Sequence, residues 1–231
     1  MSMSGSRRVV IAAVLTLGAV AHAGPSAPCP RAPAGAEPGA RSRAGGDVAA
    51  LFDLLRLDRL ERLQATFSEE KHIALLARPL RQSGTIYFDR SRGIARLTRT
   101  PRPERMLLTE RSLRIERAGK IEDIPLDKSK ALKAFALVFP ALLRGERAEL
   151  EAAFGLELRG APAVAWSLAL TPRDPGLCGL ISRVVVSGRG AEVSSLQVVE
   201  ASGDITDTRL SGIARNAAVP AAEVARVFGG R

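Results

Sequence analysis

The sequence predicts an α+β protein built on one long, curved antiparallel sheet of about eleven strands, with two helical regions. Short β-rich segments follow one another over residues 66–126 and again over 154–215, each bounded by Gly, Pro, Asp or Ser turn signals. Helical spacing of apolar residues occurs twice, after Asp47 and across residues 129–153. No strand–helix–strand alternation runs through the chain, which excludes a doubly wound parallel sheet. A length of 231 residues fits one domain.

The elements follow in order. Arg7 and Arg8 precede an apolar run over residues 9–20, and Ala21-His22-Ala23 places small residues where a signal peptidase reads them. A run that short falls well below the roughly 20 residues a membrane span requires, so residues 1–23 read as a cleaved secretory signal. Residues 24–46 turn to Pro, Ala, Gly, Ser and Arg without apolar period, the texture of a flexible leader. The folded domain is expected over residues 47–231. Asp47 is placed to cap a helix whose apolar positions are Val48, Leu51, Leu55, Leu60 and Leu63. Six strands are expected next, over 67–76, 84–89, 93–100, 105–109, 112–118 and 120–126. In Leu113-Arg114-Ile115-Glu116 apolar and polar residues alternate, as a sheet with one wet face requires. A helical insert with Leu132, Phe135, Phe139, Leu142 and Leu143 on one side follows, broken by Pro140 and Gly145. Strands resume over 154–158, 164–171, 180–187, 192–200 and 205–215. Within Val164-Ala165-Trp166-Ser167-Leu168-Ala169-Leu170 the bulky side chains fall on every second residue, giving one greasy face.

Composition narrows the function. The formal net charge is +10, and +8 once Arg7 and Arg8 leave with the signal. The basic residues are mostly Arg, scattered along the chain, and only nine aromatics are present. Nucleic-acid binding would want a basic stripe interleaved with stacking rings, so no such partner is expected. With His22 exported away, His72 is the sole histidine and reads as a solvent-facing strand end; no metal site and no cofactor are expected. Neither Gly-x-Ser-x-Gly nor a phosphate-binding loop occurs, so no catalytic residue is assigned. The adjacent pairs Glu69-Glu70 and Glu122-Asp123 point to opposite strand faces and read as solvated charges. Cys29 lacks a lipidation box, and two readings of Cys29 and Cys178 stay open, a disulfide or two thiols.

Phe67-Ser68-Glu69-Glu70-Lys71, Arg78-Pro79-Leu80, Ser83-Gly84-Thr85-Ile86-Tyr87-Phe88 and Thr100-Pro101 follow one another at characteristic spacing. Trp166-Ser167-Leu168-Ala169-Leu170-Thr171-Pro172 and Ile205-Thr206-Asp207-Thr208 complete the order. In this, residues 47–215 resemble the periplasmic outer-membrane lipoprotein carrier family (LolA-like). The resemblance implies an incomplete β-barrel, its concave apolar face covered by helices and receiving acyl chains. It also implies an arginine at the end of the second long strand that hydrogen-bonds to the helical lid and keeps the empty protein closed. Arg90 stands at that position. The family often has proline next, where this chain has Ser91 and then Arg92. Its C-terminal aromatic strand is replaced by residues 217–228, which read as a short helix or a loose tail. The sequence is therefore that of a divergent branch.

A lipid shuttle must offer an apolar cavity, because exposing a sixteen-carbon chain to water costs on the order of 12 kcal/mol at about 0.8 kcal/mol per methylene. The expected lining is Ile86, Phe88, Leu97, Leu108, Leu113, Ile115, Trp166, Leu168 and Leu170 from the sheet, with Leu132, Phe135, Phe139 and Leu142 from the helical insert. The function so expected is a monomeric, non-enzymatic periplasmic carrier of an acylated cargo, whether lipoprotein, phospholipid or glycolipid. Such a carrier takes its cargo from an inner-membrane exporter and passes it to an outer-membrane acceptor. A lipid-sensing regulatory half-barrel is the alternative, and a lipid-processing enzyme in the same cavity is a third.

Overall fold

The computed structural model describes residues 47–229 except residue 129; the expected signal and leader lie outside the described residues. Eleven strands form one antiparallel sheet: β1 (Arg62–His72), β2 (Leu80–Asp89), β3 (Gly93–Thr100), β4 (Glu104–Leu108), β5 (Ser112–Arg117), β6 (Lys120–Pro125), β7 (Phe154–Ala161), β8 (Ala165–Pro172), β9 (Ile181–Arg189), β10 (Glu192–Glu200) and β11 (Ile205–Arg215). The order across the sheet is β6-β5-β4-β3-β2-β1-β11-β10-β9-β8-β7. Nine of the ten pairings join strands that are consecutive in the sequence. The exception joins β1 to β11, so the first and last strands meet at the centre and the edges are β6 and β7. Those edges do not pair with each other, and the sheet is not closed into a barrel.

The connection from β6 to β7 must travel from one edge of the sheet to the other. It carries a 3₁₀ turn (Leu126–Lys128) and two helices, α2 (Lys130–Arg144) and α3 (Arg147–Ala153). Met106 and Ile115 from one wing of the sheet, Leu158 and Leu168 from the other, and Ala136, Val138 and Phe139 from α2 all belong to a single buried cluster. Side chains so far apart in strand order meet only because the sheet curls around them. The insert is thereby laid over the inner face, as a roof.

Helix α1 (Val48–Leu55) is shorter than its sequence suggested. The Asp47 carboxylate accepts from the Ala49 and Ala50 amides, a cap worth about 1 kcal/mol. Arg56, left-handed at φ 47, then ends the helix. A 3₁₀ turn (Leu57–Arg59) follows, and the apolar repeat continues into β1. Leu60 is buried in the turn and Leu63 faces inward from the strand. Pro140 likewise does not break the insert, since α2 runs on through it with Val138, Phe139 and Ala141 buried against the sheet. Packing of both halves outweighs the donor that proline removes. The break comes at Gly145, φ 72, whose missing side chain lets the turn approach the Asp58 amide.

Two more short helices complete the described residues. Helix α4 (Pro175–Cys178), capped by Asp174, sits between β8 and β9. Cys178 is disulfide-bonded; the chain's other cysteine, Cys29, lies outside the described residues. Of the two readings for the tail, the helix holds: α5 (Ala221–Phe228) packs Val227 and Phe228 on the outer face against Tyr87, Ala95, Leu97 and Leu107. Arg105 fastens it, donating to the carbonyls of Arg226, Val227 and Gly229 at 2.7–3.1 Å while its other nitrogens grip Glu116.

Candidate functional site

Between the roof and the inner face of the sheet lies a cavity of about 590 Å³, within the range of lipid and small-molecule sites. Its walls are overwhelmingly aliphatic. Leu63 and Ala65 of β1, Ile86 of β2 and Ile94 of β3 form one side. Trp166 and Leu168 of β8, Val186 of β9, and Val193 and Leu196 of β10 form the other. Phe139, Leu142 and Leu143 of α2, with Leu55 and Leu57 at the end of α1, form the roof. Trp166 has room to lie in the wall because it faces Gly188 across the β8–β9 pair; a Cβ there would stand 2.5 Å from the indole ring. Its Nε1 donates to the Gly190 carbonyl at 2.9 Å, which fixes the ring's orientation.

Of the residues the sequence nominated, the structure brings Ile86, Phe139, Leu142, Trp166 and Leu168 to the cavity wall. Phe88, Leu108, Leu113, Ile115 and Leu170 face the same side but are packed in the solid part of the core. Leu97 is misplaced by that expectation. It sits on the outer face beneath α5, because inward positions on β3 are Ile94, Arg96 and Thr98. The side chains of Leu132 and Phe135 lie outside the described residues. The sequence reading missed the contributions of β1 and of β9 to β11. Their alternating apolar residues were visible, yet nothing local showed that β1 and β11 adjoin.

The mouth of the cavity lies where two strands part. Pairing between β10 and β11 ends at Ser195 with Arg209. Beyond it Glu192 and Val193 stay with β9, while Leu210 and Arg215 stay with β1; these four and Ile213 line the cavity. A bulge in β11 opposite Ala65, with Gly212 at φ 58, inserts one extra residue and turns Ile213 and Arg215 onto the inner face.

The roof is held by polar contacts rather than by packing alone. Arg90, just past β2, donates from Nη2 to the Leu57 and Asp58 carbonyls at 2.9 Å and from Nε to the Leu60 carbonyl at 3.0 Å. Arg92 instead pairs with Asp89 at 3.4 Å. From the other side of β1, Arg215 donates to the Leu55 and Arg56 carbonyls. Asn216 accepts from the Glu61 and Arg62 amides and donates to the Arg59 carbonyl. The segment joining α1 to β1 is thus clasped from both flanking strands.

Further along the inner face the lining changes character. Glu69 is 2% exposed, not a solvated charge. One of its oxygens accepts from Arg96 at 3.0 Å and the other from the Thr208 hydroxyl at 3.0 Å. Burial pushes the Glu69 carboxyl above the ordinary glutamate range, against the opposing pull of Arg96. The Arg96 guanidinium stacks 4.3 Å above the Phe67 ring and also donates to Gln82. Lys71 pairs with Glu200 at 2.6 Å beside this cluster. A second hollow, about 780 Å³, lies against the opposite, outer face of the sheet, where strand alternation puts Ser68, Glu70, Gln197, Asp207 and Arg209, and is lined largely by such polar residues. It is larger, but it offers an acyl chain little to dissolve in. Among the described residues no group of His, Cys, Asp or Glu is placed to hold a metal ion.

Fold and cavity together define an open, curled-sheet protein with a helically roofed apolar chamber. The chain belongs to the outer membrane lipoprotein carrier protein LolA-like family, whose model matches residues 42–228. Solved structures of similar fold include a LolA superfamily protein from Nitrosomonas europaea, 12% identical, with a TM-score of 0.42, covering 76% of this chain and 96% of that one. A DUF1329 family protein from Desulfovibrio piger is 13% identical, with a TM-score of 0.41, covering 76% and 95%. LprF from Mycobacterium bovis is 10% identical, with a TM-score of 0.33, covering 77% and 97%. At such scores these likenesses carry no argument about ligand or partner. No curated protein matches the chain significantly. No helix among the described residues is long and apolar enough to cross a membrane.

Proposed function

We propose that the protein is a non-catalytic carrier that shelters acyl chains of a lipoprotein or lipid in the roofed cavity and moves them across the periplasm, from an inner-membrane exporter to an outer-membrane acceptor. In this reading residues 1–23 direct export, residues 24–46 are a flexible leader, and the remainder is the carrier domain. The observation that carries it is the aliphatic chamber of about 590 Å³ left unfilled beneath a roof held by hydrogen bonds. A core of this composition ordinarily packs to near-crystalline density, so a void this size is a standing loss of contacts unless something occupies it. Family membership supports the same reading.

Native mass spectrometry of protein isolated gently from the periplasm tests it. An intact acylated molecule should accompany the folded protein. Ligand-free protein from native source, together with no uptake of long-chain amphiphiles in vitro, refutes the carrier role.

A further inference from the structure

Apart from the buried Thr208 the cavity is apolar in its depth, and its charged lining residues, Arg189, Glu192 and Arg215, are all exposed and so mark its mouth. Two guanidinium groups against one carboxylate leave this rim with a formal charge of +1. Arg189 is exposed, at the end of β9, where its backbone pairs with Glu192 of β10, and its guanidinium makes no hydrogen bond or ion pair with any other described residue. Arg215 is turned onto the inner face by the Gly212 bulge and spends its donors on the Leu55 and Arg56 carbonyls. Those carbonyls are weaker acceptors than an anion, since a charged donor meeting a charged acceptor makes the stronger bond. Leu55 also lines the roof, so the residue that meets the headgroup also holds the lid.

We propose that Arg189 and Arg215 select amphiphiles with an anionic headgroup, a phosphate or a carboxylate, and that this headgroup draws Arg215 from the Leu55 and Arg56 carbonyls, so that cargo entry loosens one side of the roof. The proposal rests on the reading that the chamber takes acyl chains. It adds the headgroup class and a coupling between binding and opening. An apolar chain buried in the chamber leaves its polar end at the parting of β10 and β11, between the two arginines. The bulge has a reason on this view, because a regular β11 would turn Arg215 outward.

The test uses the protein's single tryptophan, Trp166, which lies in the cavity wall and reports occupancy through its fluorescence. Hexadecyl phosphate, palmitate and the uncharged monopalmitoylglycerol are titrated in parallel. Wild-type protein should bind the two anionic probes about tenfold or more tightly than the uncharged one. In the double variant Arg189→Gln/Arg215→Gln this ratio should fall close to one. Arg189→Gln alone, which breaks no contact among the described residues, should lower it by about threefold. Backbone hydrogen exchange at residues 55–60 should quicken with the anionic probes and not with the uncharged one. Equal affinity for all three probes, or a ratio that survives the double variant, overturns the headgroup proposal while leaving the carrier reading intact. No fluorescence response to any of the three overturns both. A preference for phosphate over palmitate or the reverse, lost in the double variant, supports the proposal and identifies which anion the rim favours.

Discussion

Replacing Arg90 by Leu isolates the energetics of the roof. The guanidinium donates three hydrogen bonds of 2.9–3.0 Å, to the carbonyls of Leu57, Asp58 and Leu60. Leu57 and Leu60 are buried and the bonds to their carbonyls are partly shielded, so losing the arginine leaves both acceptors poorly satisfied. A hydrogen bond from a charged donor contributes about 1.5–3 kcal/mol where water is excluded. The Arg90 side chain is 29% exposed and Asp58 is open to solvent, so the sum is discounted to about 2–3 kcal/mol of local closure. At about 1.4 kcal/mol per factor of ten, opening of the α1–β1 segment should become roughly 30- to 140-fold more frequent. Hydrogen exchange measured peptide by peptide is the assay. Amides over residues 49–61 should exchange faster by that factor, while β1, β2 and β11 keep their protection. The clasp by Arg215 and Asn216 from the other side keeps the variant folded. Unchanged exchange over 49–61, or an equal loss of protection across the whole sheet, would refute the view that Arg90 is a local latch.

Three further outcomes follow from the same geometry. Ala65→Phe projects a ring from β1 into the chamber and should weaken amphiphile binding at least tenfold, with the melting temperature held or raised; a variant that binds as wild type would show the chamber is not the binding site. Arg96→Met leaves Glu69 buried without its cation and should cost about 3–5 kcal/mol in denaturant unfolding, whereas Arg96→Met/Glu69→Leu should recover most of that loss. A double variant as unstable as the single one would contradict the pair as the cause. Hydrogen bonding from Arg105 holds the Glu116 carboxyl below the ordinary glutamate range. The stability it contributes is therefore complete above about pH 4.3, the unfolded value, and lost as the pH falls through the lower folded one. Docking of α5 should weaken over that acidic window, read as faster proteolysis at the C-terminus, and Glu116→Gln should flatten the dependence.

Some features of the site were legible because their causes are local. Trp166 and Leu168 fall on one face by strand alternation, whatever lies opposite. Arg90 was placed by a resemblance in order and spacing, and it meets the α1–β1 turn rather than the insert. Other features gave no local sign. Glu69 reads in sequence like Glu70 beside it, and only the neighbouring Arg96, Gln82 and Thr208 make its burial tolerable. The extension of a first helix to Leu63 failed because apolar residues in a turn and a strand happened to continue a helical period.

By itself the sequence determined the ladder of hairpins. Turn residues at short intervals make each strand pair with the next, and alternation then says which side chains share a face. Tertiary structure alone decided that β1 would close against β11, more than a hundred residues away along the chain. That one long-range pairing sends β6 and β7 to the edges, stretches the insert across the inner face as a roof, and sets the mouth where β10 and β11 diverge. Such a contact depends on the summed burial of both wings around one core, a quantity that no window of neighbouring residues contains.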